Sequence, residues 1–136
     1  MRILDSSVLV AMYHDRDVHH SKAEELLKTI REDEPLILND YLVNESSTVV
    51  LRKAGLERAK TMLATILENQ QFQIRHTTEE EFGDIVACFK SQNSTLSFVD
   101  CSIICLSKAM GCRVETFDKT LQAEIEREKK EDENGR

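Results

Sequence analysis

The chain carries no tryptophan, a single proline and only four glycines in 136 residues. That scarcity excludes collagenous, low-complexity and disordered classes for the bulk of the sequence, and with 40% hydrophobic residues one globular core is expected. Runs of apolar residues long enough for a membrane span, about 20 residues, are missing. The acid at position 5 also falls too early for the apolar core of an export signal. A soluble, cytoplasmic protein without a membrane partner is the expectation. No glycine-rich phosphate loop and no Gly-x-Ser-x-Gly elbow occur, which removes nucleoside triphosphatase and serine hydrolase chemistry. Cys88, Cys101, Cys105 and Cys112 lack the paired two-residue gaps of a zinc site and read as reduced core thiols. Cys101 and Cys105 lie one helical turn apart, but no histidine on that helix completes a ligand set.

Cations are also in deficit, 18 Lys and Arg against 25 Asp and Glu, for a formal charge of -7. A broad electrostatic grip on nucleic acid is thereby excluded, and any such contact must be local. The one basic group close in sequence is Arg52, Lys53, Arg58 and Lys60, which reads equally well as a solvated helix face.

What is present is an alternation of short apolar segments with helical periodicity. Arg2 to Leu4 reaches Asp5, and SSVLVAMY then begins a helix that Asp5 or Ser6 can cap. Ala23, Leu26, Leu27 and Ile30 mark a helix over His19 to Arg31, and Leu36 to Leu38 follow Pro35 as a strand. Asn39 or Asp40 caps a helix from Tyr41 to Lys53, which stops near Gly55 before a second over Leu56 to Asn69. Phe72 to Arg75 reads as a strand, Thr78 to Ser91 as a helix, Ser97 to Met110 as a strongly apolar helix closed by Gly111, and Arg113 to Phe117 as the last strand. Short strands separated by helices pair in parallel through right-handed crossovers. The expected fold is therefore α/β, a three-layer α/β/α sandwich around a central parallel sheet of about four to five strands. Residues 1–123 form the expected domain, and residues 124–136, almost wholly charged, a C-terminal tail or frayed helix.

Four acids stand out against this frame. Asp5 and Asp118 each follow a predicted strand, at the carboxyl edge where open parallel sheets form their ligand crevice. Helix capping explains either one equally well. Glu45 shares i, i+3, i+7 spacing with Leu42 and Val49, so its carboxylate lies on the apolar face of its helix, with no basic residue one turn away to pair with it. Asp100 interrupts an apolar helix, and Ser97 three residues earlier completes a capping-box pattern, which is compatible with ligand duty. Were all four to converge, carboxylates about 5 Å apart would repel by roughly 3 kcal/mol per pair at an effective dielectric near 20, so convergence calls for a cation. All-oxygen donors select a hard ion, Mg2+ or Mn2+. Such ions activate water and polarise phosphodiesters without a nucleophilic side chain. His14, Asp15, Asp17, His19 and His20 cluster as well, across a loop and a helix start where exposed polar residues are ordinary.

Read together, ILDSSVLVA at the start, NE in the helix after the second strand, LSFVDCSIICLSKAMG and VETFDKTL resemble the PIN-domain ribonucleases over about residues 2 to 121. The likeness is nearest to the VapC-type toxins of toxin-antitoxin pairs. It implies an endoribonuclease dependent on Mg2+ or Mn2+, with Asp5, Glu45, Asp100 and Asp118 as catalytic acids and metal ligands and Ser6 in support. It further implies an RNA substrate, a cognate antitoxin and a homodimer. Two alternatives stay open: a catalytically silent PIN-like scaffold, and a receiver-like signalling domain, which would want a lysine where the last strand instead runs into Asp118.

Overall fold

The computed structural model describes residues 1–135, and its elements follow the hydropathy pattern. In chain order they are β1 (Arg2–Leu4), α1 (Ser6–Tyr13), α2 (His20–Thr29), β2 (Leu36–Asn39), α3 (Asp40–Ala54), α4 (Leu56–Glu68), β3 (Phe72–Arg75), α5 (Glu79–Ser91), α6 (Phe98–Met110), β4 (Arg113–Glu115) and α7 (Lys119–Asn134). β1 and β2 are buried along their whole length, as strands covered by helices on both faces must be. The four strands are all parallel, in the order β3-β2-β1-β4, with Ile3 opposite Ile37 on one side and Val114 on the other. This is the expected three-layer α/β/α sandwich, with four strands in its sheet.

The order of the strands positions the site. From β1 the chain moves outward to β2 and β3, then returns to lay β4 on the opposite side of β1. The direction of winding thus reverses between β1 and β4, and at such a switch point the loops leaving the carboxyl ends diverge and open a crevice. β4 ends at Glu115 rather than at Phe117 because the next residues turn away to other partners: the Phe117 amide donates to Ser7 Oγ at 3.0 Å instead of extending the ladder.

The core unites Leu4, Leu9, Leu38, Leu42, Met62 and Ile103, all fully or almost fully buried. α7 joins it through Leu121 and Ile125, so one helix runs unbroken from Lys119 across residue 124. The four cysteines are free thiols. Burial together with the neighbouring Cys88 pushes Cys101 up to about 12 and Cys105 to about 11, which keeps both protonated and unreactive at neutral pH. Among the described residues no helix is long and apolar enough to cross a membrane.

Candidate active site

At the carboxyl edge of the sheet a cleft of about 360 Å3 is lined by Asp5, Glu45, Asp100 and Asp118, together with Ser6 and Lys53. The four acids come from four separate places: the β1–α1 junction, the second turn of α3, the first turn of α6 and the turn after β4. Sequence had nominated all four, and the fold brings them to one cavity.

Asp5 is 3% exposed and occupies the N-cap position of α1 without its side chain capping the helix. Its carboxylate is held from the side instead. Ser7 Oγ donates to Asp5 Oδ2 at 2.8 Å, and Thr116 Oγ1 donates to the same oxygen at 2.7 Å. Each hydroxyl in turn accepts a backbone amide, Ser7 from Phe117 and Thr116 from Asp118, both at 3.0 Å. The two hydroxyls therefore tie the end of β1 to the turn after β4 and connect the Asp5 carboxylate to the backbone amide of Asp118. Asp118 itself caps α7, its Oδ1 accepting the amides of Thr120 at 2.9 Å and Leu121 at 3.1 Å.

Glu45 accepts a hydrogen bond from Ser6 Oγ at 2.7 Å, much shorter than the 3.5 Å from that hydroxyl to Asp5 Oδ1, so the Ser6 proton goes to Glu45. Asp100 and Ser97 form the expected capping box: Asp100 Oδ2 accepts the Ser97 amide, and Ser97 Oγ accepts the Asp100 amide, both at 3.0 Å. Asn39 fixes the relation between their helices. It caps α3 by accepting the Leu42 amide at 2.9 Å and donates to Ser102 Oγ on α6 at 2.9 Å.

One pattern recurs at all four acids. A single oxygen of each carboxylate is anchored by short bonds to the scaffold, while Asp5 Oδ1, Glu45 Oε2, Asp100 Oδ1 and Asp118 Oδ2 have no hydrogen-bond partner shorter than 3.5 Å among the described residues. Capping and ligand duty thus fall to different oxygens. Electrostatically the cleft is uncompensated. Burial pushes the Glu45 carboxyl above the usual range against the opposing Ser6 hydrogen bond, and Asp5, Asp100 and Asp118 push it further. Burial likewise raises Asp100, opposed by Ser97 and reinforced by Asp5 and Asp118. These carboxylates are already within electrostatic reach of one another, and the described residues offer them no ion pair.

Five carboxylates, Asp17 joining the four above, and the hydroxyls of Ser6, Ser7 and Ser97 form an oxygen-rich lining, which in kind fits a hard divalent cation. Among the described residues, however, no three acids, histidines or cysteines are gathered as a finished metal site. Repulsion among carboxylates without a counterion favours such spreading.

Residues that sequence reasoning passed over complete the cleft. Ser7 and Thr116 give no signal of their own, being ordinary polar residues near strand ends that acquire their role only across 109 positions of chain. His19 stacks on Phe117, centroids 4.9 Å apart, and with Asp17 of the same sequence cluster forms part of the cleft wall. A larger cavity of about 440 Å3 lies between α5, α6 and α7, but its Arg127 is already paired with Glu124 at 2.5 Å. Chemistry rather than volume favours the acidic cleft.

The PIN domain family profile matches residues 2–127 of the chain. Among solved structures the chain is similar to VapC20 of Mycobacterium tuberculosis, a toxin that cleaves the sarcin-ricin loop, with a TM-score of 0.84 at 19% identity over 90% of this chain and 94% of that one. It is similar also to FitAcB from Neisseria gonorrhoeae, with a TM-score of 0.66 at 16% identity over 93% of this chain and 94% of that one. No curated protein sequence matches it closely. At these identities the structural likeness is one of fold.

Proposed function

This chain belongs to the PIN domain family, and on that premise we propose that it is a metal-dependent endoribonuclease, using Mg2+ or Mn2+, and the toxin of a toxin-antitoxin pair. The observation that carries the reading is the meeting of Asp5, Glu45, Asp100 and Asp118 in one cleft at the switch point of the sheet. The likeness to a solved RNA-cleaving toxin supports the choice of RNA. The same reading extends to a cognate antitoxin and a homodimer as partners.

In this proposal Asp5, Asp100 and Asp118 would hold the cation, and Glu45 would either join them or position water. When bound, the ion supplies Lewis-acid polarisation of the phosphate and lowers the pKa of a coordinated water. Ser6 keeps the Glu45 carboxylate turned toward the shared cleft by spending its one proton on Oε1. Ser7 and Thr116 keep Asp5 rigid, which limits the reorganisation needed when charge develops at the phosphate. Glu45, held by Ser6 and raised by burial and by its neighbours, would be the carboxyl placed to accept a proton from water.

The test is cleavage of RNA by purified protein in Mg2+ or Mn2+, with EDTA controls and the Asp5→Asn and Asp100→Asn variants alongside. Cleavage that requires both the metal and both acids is expected. Metal binding that depends on these acids without cleavage of any RNA would replace the nuclease by a silent scaffold, and loss of metal binding altogether would overturn the shared site.

A further inference from the structure

The acidic cleft poses a problem for a polyanionic substrate. Its wall presents five carboxylates, the four already described and Asp17, against one lysine, Lys53. Even with one divalent cation held there, the carboxylates remain in excess, so an RNA strand whose phosphate enters the cleft gains affinity from cations placed beyond it, since backbone phosphates dominate affinity for nucleic acid. The net charge of -7 leaves few places where those cations can be.

One such place adjoins the cleft. Lys53 also lines a second cavity, of about 260 Å3, together with Tyr13, His14, Asp15, Arg16 and Arg58. The balance of charge is reversed here: three cations face one carboxylate. Arg58 is partly spent on Asp15 at 2.9 Å, whereas Arg16 and Lys53 are exposed and make no ion pair with any described residue. The cavity is built by three separate segments, the end of α1 and the turn after it, the last turn of α3 and the start of α4. Glu45, Val49 and Lys53 follow i, i+4, i+8 spacing along α3, which puts the lysine about 12 Å of helix rise beyond the acid. A helix stripe thus joins the place where charge is concentrated to the place where it is neutralised.

We propose that the cavity formed by Arg16, Lys53 and Arg58 is a second binding site, which grips the phosphate backbone of the same single RNA strand within a few nucleotides of the bond held in the acidic cleft. The proposal rests on the nuclease reading above. Lys53 bridges the two cavities and orients the strand as it leaves the acids, while Arg16 and Arg58 hold phosphates further along. Tyr13 supplies a ring on the cavity wall against which a base or ribose can lie. Contacts of this kind fix register without reading sequence.

The test uses full-length protein and two labelled substrates, a dinucleotide too short to leave the acidic cleft and a single-stranded RNA of about ten nucleotides, since single-strand sites span about 4 to 16. Arg16→Ala and the double variant Arg16→Ala/Arg58→Ala are expected to raise KM for the longer RNA about tenfold with kcat unchanged, and to leave the dinucleotide unaffected. Binding of the longer RNA, measured by anisotropy in EDTA, is expected to lose about one unit of salt slope per cation removed. Arg16→Lys restores both, and the remote Lys28→Ala, an equal loss of charge, changes neither. Unchanged KM and salt slope in an enzyme that still cuts RNA would overturn this site while sparing the nuclease reading. Equal losses on dinucleotide and longer RNA would also overturn it, by showing a merely structural role. So would loss of binding to polyglutamate with RNA binding intact, which would assign the cavity to an acidic polypeptide.

Discussion

The two ends of the parallel sheet handle charge in opposite ways. At the amino end Arg2, only 9% exposed, meets Glu34 at 2.8 Å, Glu115 at 3.3 Å and Thr29 Oγ1 at 3.2 Å. The Arg2 guanidinium holds the Glu34 carboxyl below its usual range. At the carboxyl end, about three residues of strand away, Glu45 and Asp100 are raised by burial and by other acids, with no cation paired to them. A compensated cluster consolidates a fold, whereas an uncompensated one costs stability and is retained where a ligand supplies the missing charge. The contrast marks the carboxyl end as the better candidate for a ligand site.

Substitutions at the two ends should therefore fail in opposite manners. The largest effect is expected from Asp5→Asn, which should abolish RNA cleavage while leaving the thermal midpoint within a few degrees of wild type. Arg2→Ala removes a nearly buried guanidinium shared by Glu34, Glu115 and Thr29, leaving Glu34 only the N-terminal ammonium at 3.3 Å and Glu115 only Arg113 at 2.8 Å, and should lower that midpoint more than any change in the cleft, with cleavage retained below the new transition; a loss of activity without a loss of stability would erase the distinction. Thr116→Val removes a donor to Asp5 without touching the cleft's charge, and a loss of about 10- to 100-fold in metal affinity or cleavage is expected, as for groups that orient ligands.

The pH dependence of the metal-free protein sharpens the comparison further. A carboxyl raised in the fold destabilises wherever it is ionised, so stability should rise as pH falls from neutral through the raised value of Glu45 toward its ordinary 4.5. Glu34 is depressed, so its contribution is present above 4.5 and is lost only as pH falls further, through its folded value. Thermal melts from pH 7 to pH 3 should show that rise and then a fall; Glu45→Gln should flatten the rise, raise the midpoint at pH 7 and weaken stabilisation by added Mg2+. The smallest effect belongs to neither end. Ser46 on α3 is fully buried, and its hydroxyl makes no hydrogen bond, so Ser46→Ala should stabilise by about 1 kcal/mol in a denaturant melt, with cleavage unchanged.

Much of this was legible in local sequence. Helical spacing and strand composition act over a few residues, so the order of strands and helices, the capping box at Ser97 and Asp100 and the stops at Gly55 and Gly111 could all be read directly. Gly111 takes the left-handed conformation at φ 61° that closes α6, which few other residues accept without strain. The nomination of Glu45 rested on the same logic, an acid on an apolar face with no cation one turn away. The last strand was read two residues too long because Thr116 and Phe117 are β-formers by composition, yet they turn to Ser7 and Asp5.

The sequence by itself determined the alternation of elements, the parallel class of the sheet and the four acids worth testing, because each is encoded within one or two turns of chain. Only the tertiary structure decided that Ser7 and Thr116 clamp Asp5 to Asp118, that Lys53 stands at the junction of an acidic and a basic cavity, and that Arg2 is neutralised while Glu45 is not. Those facts depend on the winding that lays β4 beside β1, and a contact closed across a hundred residues leaves no periodicity in the sequence that records it.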